Sequence, residues 1–388
     1  MIYTKRALLT ALFLALLCGA PILAQTQSLE EQWRASSAEL ARYYSQKSWP
    51  EALRVIEQQL KLAERTSNRE ALASVLYNKS CVHALAGQKE PAFAAIREAV
   101  AAGFTDYSRY FNDPDFDSLR ADPRFKSLLA ELKAKYGPTL LLWDRTQPAP
   151  EFQQLFDSPQ APEFLEMRRE FSIDAVLEGA KDDYERLRRL TAWVNARWQH
   201  SPNQMASKSD PITILREAQK GGRFICREYA IVLAGVATAY GMPARVLNLL
   251  PRDVETRSEA HSVAEVWLDQ FHKWVLADGQ YGAIGELDGV PLNGIQLQAA
   301  LASDRPVVCS VGAATCSEWK PFILRNAYYF KAADDQHLFK RSMKSQLVLV
   351  PKGAPNPKKF AGGNEEVFAG GIYTSNPDTF YAPPKRSN

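Results

Sequence analysis

Gly221-Gly-Arg-Phe-Ile-Cys226-Arg-Glu-Tyr-Ala230, continued by Ile231-Val-Leu-Ala-Gly-Val-Ala-Thr-Ala-Tyr240 and Gly241-Met-Pro243, decides the fold. The run Ile231–Tyr240 is apolar or small on nearly every side, so it predicts a helix buried all round. The glycine pair turns the chain before that helix, and Gly241 closes it. Cys226 then stands at the N-terminal end of an interior helix. Unpaired N–H groups and the positive end of the dipole favour thiolate there. Taken alone, the position suits a structural cysteine equally well.

Downstream, Ala244-Arg-Val-Leu-Asn-Leu-Leu250 predicts a strand, and Pro251 to Ala260 a charged loop that could shield the thiol. His261-Ser-Val-Ala-Glu-Val-Trp-Leu268 and Lys273-Trp-Val-Leu-Ala-Asp278 predict two strands of a hairpin around Asp269–Gln270. A turn centred there sets His261 opposite Asp278. Opposed residues have Cβ atoms roughly 5 Å apart, which suits an imidazole–carboxylate hydrogen bond. A slip of one residue would put the two on different faces. With Cys226, these residues make a Cys–His–Asp arrangement: nucleophile, base and orienting group.

In this order the motifs resemble the transglutaminase-like superfamily of papain-type cysteine enzymes, over about residues 165–300. Cys226 after the glycine turn matches the nucleophile position. His261 with Glu265-Val266-Trp267 matches the H-x-x-x-E-V-W strand, and Trp274-Val275 with Asp278 matches W-V-x-x-D. Val263 stands where an aromatic often occurs, and Asp278-Gly-Gln replaces the commoner Asp-Pro-Thr. The resemblance implies an α+β core, a central helix packed on an antiparallel sheet. It also implies thiolate attack on a peptide or glutamine-type amide through a thioester, resolved by water or an amine, with no cofactor. His261 would deprotonate Cys226 and then protonate the leaving group, while Asp278 holds the tautomer. Trp198 and Gln204, both on the segment before the nucleophile, are candidate oxyanion donors beside the Cys226 N–H. The rival reading is a domain that keeps this fold without the chemistry, a binding or scaffold protein of the cell envelope.

Residues 28–136 read as helical hairpins resembling tetratricopeptide repeats. Ser80, Gly87, Ala92, Ile96 and Ala99 follow that pattern of small and bulky positions in order. The spacing from Ala52 to Ala92 is 40 residues rather than the usual 34 or so, which suggests an inserted turn. Such repeats bind protein partners on a concave face. Cys81, on the inner helix, reads as a small buried hydrophobe. Residues 137–164, with Pro148, Pro150, Pro159 and Pro162, read as a linker. Residues 301–388 read as a C-terminal β extension, with Ala382–Asn388 as a disordered end.

The first 24 residues have the form of a signal peptide: Lys5 and Arg6, an apolar run from Ala7, then Ile22-Leu23-Ala24 before Gln25. That places the mature chain in the periplasm or outside the cell, with an uncleaved anchor facing the periplasm as the alternative. No membrane span remains after cleavage. Export favours disulfides, and Cys309 and Cys316 are close enough to pair with each other. Lys+Arg (47) against Asp+Glu (44) leaves +3, too little for nucleic acid. His83, His200, His272 and His337 have no metal-ligand spacing, so no metal is expected. A protein or peptide is the substrate class that fits.

Overall fold

The computed structural model describes residues 20–136, 139–257, 259–340, 342, 344–361 and 365–385. The signal-peptide reading falls mainly on residues 1–19, outside the described residues. The chain divides into two compact units, Met1–Gly137 and Pro138–Asn388, and is α+β as a whole. Among the described residues no helix is long and apolar enough to cross a membrane.

The described part of the first unit is all helices and turns: α1 (Ala20–Ser45), α2 (Trp49–Arg65), α3 (Arg69–Leu85), α4 (Lys89–Ala102), α5 (Tyr107–Asn112), a 3-10 turn (Pro114–Leu119) and α6 (Pro123–Tyr136). This succession of short-linked helices is consistent with repeats. The local signals are ordinary ones. Pro50 opens α2, the Asn68 side chain caps α3 by accepting the Ala71 N–H, and Gly103 (φ 111°) ends α4. The 40-residue spacing does not come from an inserted turn. It comes from α2 and α3, each 17 residues long, joined by short turns. Ala92, Ile96 and Ala99 are fully buried, and Phe93 nearly so. Small residues at the first and last of these positions let α3 and α4 approach closely. Ala92→Leu is therefore expected to cost about 1–3 kcal/mol by overpacking, read as a lower urea midpoint for the helical unit.

Around Cys81 the core becomes polar. The Tyr77 hydroxyl donates to Asp113 Oδ2 at 2.6 Å, and the Tyr44 hydroxyl donates to Asp115. Cys81 is 3% exposed, and burial pushes its thiol well above the ordinary range, so it is held as a neutral group.

The second unit begins with α7 (Pro162–Glu170), α8 (Ile173–Leu177), α9 (Asp183–Asn195), α10 (Pro211–Gln219) and α11 (Cys226–Thr238). Then follow β1 (Ala244–Leu250), β2 (His261–Leu268), β3 (Lys273–Ala277), β4 (Ile284–Leu287), β5 (Val290–Pro291), α12 (Gly294–Ala302) and β6 (Val308–Val311). The last elements are α13 (Cys316–Asn326), β7 (Tyr329–Ala333), β8 (Gln346–Leu349), β9 (Gly371–Thr374) and α14 (Pro377–Phe380). The main sheet has the order β3-β2-β1-β7-β8-β9, antiparallel except for the parallel pair β8–β9. A smaller sheet runs β5-β4-β6.

Both faces of the main sheet are covered. Helix α11 packs Leu233, Ala234 and Ala237 over Val246, Ala264, Val266 and Val275. On the other face Leu297, Trp319 and Ile323 cover Leu247, Val263, Leu276 and Phe330. Burial on both sides is why all eight residues of β2 are inaccessible.

Three stretches differ from the sequence reading. From residue 139 the presumed linker 137–164 is laid against the second unit: Leu141 is in its core, Asp144 N–H bonds the Ser375 carbonyl, and Leu155 bridges Asp335. Segment 301–388 supplies β7–β9 to the main sheet, yet also the buried helix α13, so it is more than a β extension. Its end is partly tied down, because Ala382 accepts the Trp274 Nε1–H at 3.0 Å. A row of prolines and glycines signals the lack of regular structure, which is compatible with close packing.

Candidate active site

Three sequence elements converge at the start of α11. Asp210 caps α10 by accepting the Thr213 N–H at 2.8 Å, with Pro211 as its first residue. Gly221 (φ +90°) turns the chain, and Gly222 has no room for a side chain: a Cβ there would lie 2.5 Å from the Phe224 ring and 2.8 Å from the Glu217 carbonyl. This tight turn delivers Cys226 as the first residue of α11. Ile225 precedes it without a side-chain cap, so the first-turn amides of the helix stay free of one. Cys226 is partly exposed and carries a free thiol.

His261 opens β2 and is 1% exposed; Asp278, one residue beyond β3, is fully buried. The hairpin register pairs Ala264 with Ala277, which aligns Asp278 with Val263 rather than with His261. The turn takes one 3-10 turn, Asp269–Phe271, and then His272 in left-handed conformation (φ 49°). The register thus differs by two residues from the sequence expectation. Because side chains alternate with period two, a shift of two keeps both groups on one face. They meet diagonally: His261 Nε2 and Asp278 Oδ2 are 2.7 Å apart.

That face is the one carrying Val263 and Leu276, opposite the face on which α11 packs. Cys226 reaches the imidazole across the end of the sheet, at the first residues of β2. Its sulfur hydrogen-bonds His261 and accepts the Ser262 backbone N–H. With Nε2 committed to Asp278, Nδ1 is the nitrogen left for the sulfur. Burial alone would raise the Cys226 pKa; the hydrogen bond to His261, its charge and the Ser262 amide together pull it below the ordinary thiol value. For His261, burial lowers the pKa, but the Asp278 charge, the hydrogen bond to it and the Cys226 sulfur outweigh that and raise it to about 10. Both shifts favour a thiolate–imidazolium pair.

Trp198 and Gln204 lie on the approach to the nucleophile. The Trp198 ring lies tilted against Tyr229 (centroids 4.3 Å, 35°) and meets Phe224 edge-on, while its buried Nε1–H has no hydrogen-bond partner among the described residues. The Gln204 carbonyl accepts the Ile225 N–H at 3.1 Å, which places Gln204 beside the nucleophile's neighbour; the residue itself is exposed.

Residues outside the sequence motifs complete the surroundings. Trp319 Nε1 donates to Asp278 Oδ2 at 2.8 Å, and Phe322 packs edge-on against the His261 ring (centroids 4.9 Å, 73°), with Tyr281 further out. The sequence carries no local signal for Trp319 or Phe322, which fall in the segment read as a β extension, about forty residues past Asp278. The loop after Leu250 anchors Val254 among Val348, Val350 and Phe368. Glu265 pairs in register with Arg245, and their side chains form an ion pair (2.7 Å) with neither side chain more than 1% exposed. Cys309 and Cys316 are joined in a disulfide.

Residues 172–279 match the sequence model of the transglutaminase-like superfamily, a span that contains Cys226, His261 and Asp278. No curated protein matches the chain. Among solved structures, a candidate cysteine protease of Cytophaga hutchinsonii is similar at 14% identity, over 36% of this chain and 48% of that one, with a TM-score of 0.25. The chain therefore spans about half the length of that protein. The glycine turn, the buried helix and the histidine strand all fall inside the matched span, and residues 172–279 form a transglutaminase-like superfamily domain.

Proposed function

We propose that this chain is a cysteine enzyme that cleaves or transfers the acyl group of a peptide or glutamine-type amide. The hydrogen-bonded series Cys226–His261–Asp278 carries this reading. The Cys226 thiolate adds to the amide carbonyl. The resulting oxyanion is met by the Cys226 N–H, at an N-terminus with no side-chain cap, and by the Trp198 indole N–H, a buried donor without a partner among the described residues. Imidazolium His261 gives its proton to the departing nitrogen, leaving a thioester. Water or an amine then attacks while His261 takes the proton back. Asp278 keeps Nε2 protonated, so that Nδ1 faces the sulfur throughout.

Export belongs to the proposal. The charged and apolar leader argues for it, and a disulfide at Cys309–Cys316 suits an oxidising compartment. The helical unit is the part proposed to recruit a protein partner.

The test is incubation of the purified chain with glutamine-bearing peptides and a primary-amine probe, followed by peptide mass spectrometry. The expected result is an acyl adduct on Cys226 with loss of ammonia or an amine, and then a cut or amine-joined peptide. An acyl-free Cys226 across a broad peptide set, in a folded chain, would sink the enzyme reading and leave the scaffold.

A further inference from the structure

One donor to the Asp278 carboxylate, Trp319, comes from about forty residues further along the chain, well past the matched span 172–279. Oδ2 accepts both His261 Nε2 (2.7 Å) and Trp319 Nε1 (2.8 Å), while Oδ1 accepts the amides of Gln280 (3.0 Å) and Tyr281 (3.2 Å). Four donors thus hold a carboxylate that has no exposure to water. Three belong to β2 or to the loop after β3; the fourth comes from α13. Trp319 is itself fully buried, and its ring lies against Gly285, where an added Cβ would stand 3.2 Å from it.

We infer that Trp319 is a positioning residue of the Cys226–His261–Asp278 site, and that the Cys309–Cys316 loop is the brace that seats it. The inference rests on the acyl-transfer reading above. A carboxylate whose Oδ2 carries only one donor can turn about its Cβ–Cγ bond, and its grip on the imidazole plane loosens. With Trp319 in place, both oxygens are saturated and the plane is fixed. Phe322, one turn further along α13, lies against the imidazole, so the same helix touches both partners of the thiol.

That helix is anchored at its start. Cys316 is the first residue of α13, and its disulfide ties it to Cys309 on β6. Gly312, inside the closed loop, sits so near the chain at Gly282 that a Cβ would fall 2.4 Å from the Gly282 carbonyl oxygen. The Thr315 hydroxyl donates to the Tyr281 carbonyl at 2.9 Å. The disulfide loop therefore rests on the segment whose amides hold Oδ1, while the helix it starts supplies the donor to Oδ2. Cross-linking so short a loop restricts the alternatives open to both.

The experiment is the pH dependence of Cys226 alkylation by iodoacetamide in the intact, oxidised chain, with peptide mass spectrometry separating Cys226 from Cys81. It is run on wild type, Trp319→Phe, and the double variant Cys309→Ser/Cys316→Ser, each with a thermal unfolding curve. In wild type the acid limb of the profile is expected below the ordinary thiol range. Trp319→Phe keeps an aromatic, if smaller, ring and loses the N–H, and should move that limb up by about one pH unit, the size of one charge-assisted hydrogen bond. The double variant should move it in the same direction. A limb that stays put in both variants, whatever happens to their melting temperatures, reduces Trp319 and the disulfide to packing and overturns the inference alone. A wild-type limb already at the ordinary thiol value removes the ion pair, and the acyl-transfer reading falls with it.

Discussion

His261→Ala is expected to separate two rates that the intact site keeps together. Alkylation needs only a thiolate. Without the imidazolium, Cys226 returns toward a thiol that is a few per cent ionised at neutral pH, so alkylation should fall by roughly ten- to thirtyfold. Amide cleavage needs in addition a proton for the departing nitrogen, and its loss should be about 10²–10⁴-fold larger again. The two effects have different physical origins, which makes their ratio the informative quantity. Equal losses in both assays would mean that His261 only tunes the thiol and that some other group protonates the leaving nitrogen.

The same pair predicts the pH profile of turnover in the wild type. The Cys226 pKa is lowered, so the thiolate persists to lower pH than that of an ordinary cysteine and is lost on acidification through that lowered value. The His261 pKa is raised to about 10, so the imidazolium persists through neutral pH and is lost as pH rises through 10. Activity should accordingly form a plateau bounded on the acid side by the lowered Cys226 value and on the alkaline side by about 10. A sharp optimum near the ordinary histidine value in initial-rate measurements would contradict this.

Glu265→Ala should be the most destabilising of the substitutions considered. Arg245 is 1% exposed and pairs with Glu265 through Nε (3.0 Å) and Nη2 (2.7 Å). Its Nη1 donates to the Phe380 carbonyl and to Gln154, and its guanidinium lies over the Trp274 and Phe380 rings at 4.4 and 4.6 Å. The other Glu265 oxygen accepts the Gly294 N–H at the start of α12. Removing the carboxylate strands a guanidinium away from water and releases a helix end. Breaking such a buried pair costs about 3–5 kcal/mol, which in a unit of this size lowers Tm by about 6–20 °C. Calorimetry on the intact chain would measure it, and a shift under 2 °C would show that water enters and solvates the arginine. A double change of Arg245 and Glu265 to apolar residues should lose less, because neither charge is then left alone.

What could be read without coordinates was local. Gly221-Gly222 before an apolar run and Gly241 after it are short-range signals. The elements begin where the residues say: α11 at Cys226, β1 at Ala244 and β2 at His261. The three chemical side chains of the candidate site were legible for the same reason, because each sits in such an element next to recognisable neighbours. The hairpin register was off by two and the pairing of faces survived, since alternation has period two.

What depended on distance along the chain was not legible. Trp319 and Phe322 look like ordinary core residues of α13, and nothing nearby tells that one reaches the carboxylate and the other the imidazole. The sequence by itself determined the residue types, the helix that carries the sulfur and the strand that carries its base. Only the tertiary structure decided that this helix lies on one face of the sheet while histidine and aspartate point from the other. The reason is that a strand's pattern shows which residues alternate, whereas the choice of what covers each face is made by contacts between segments far apart in the chain.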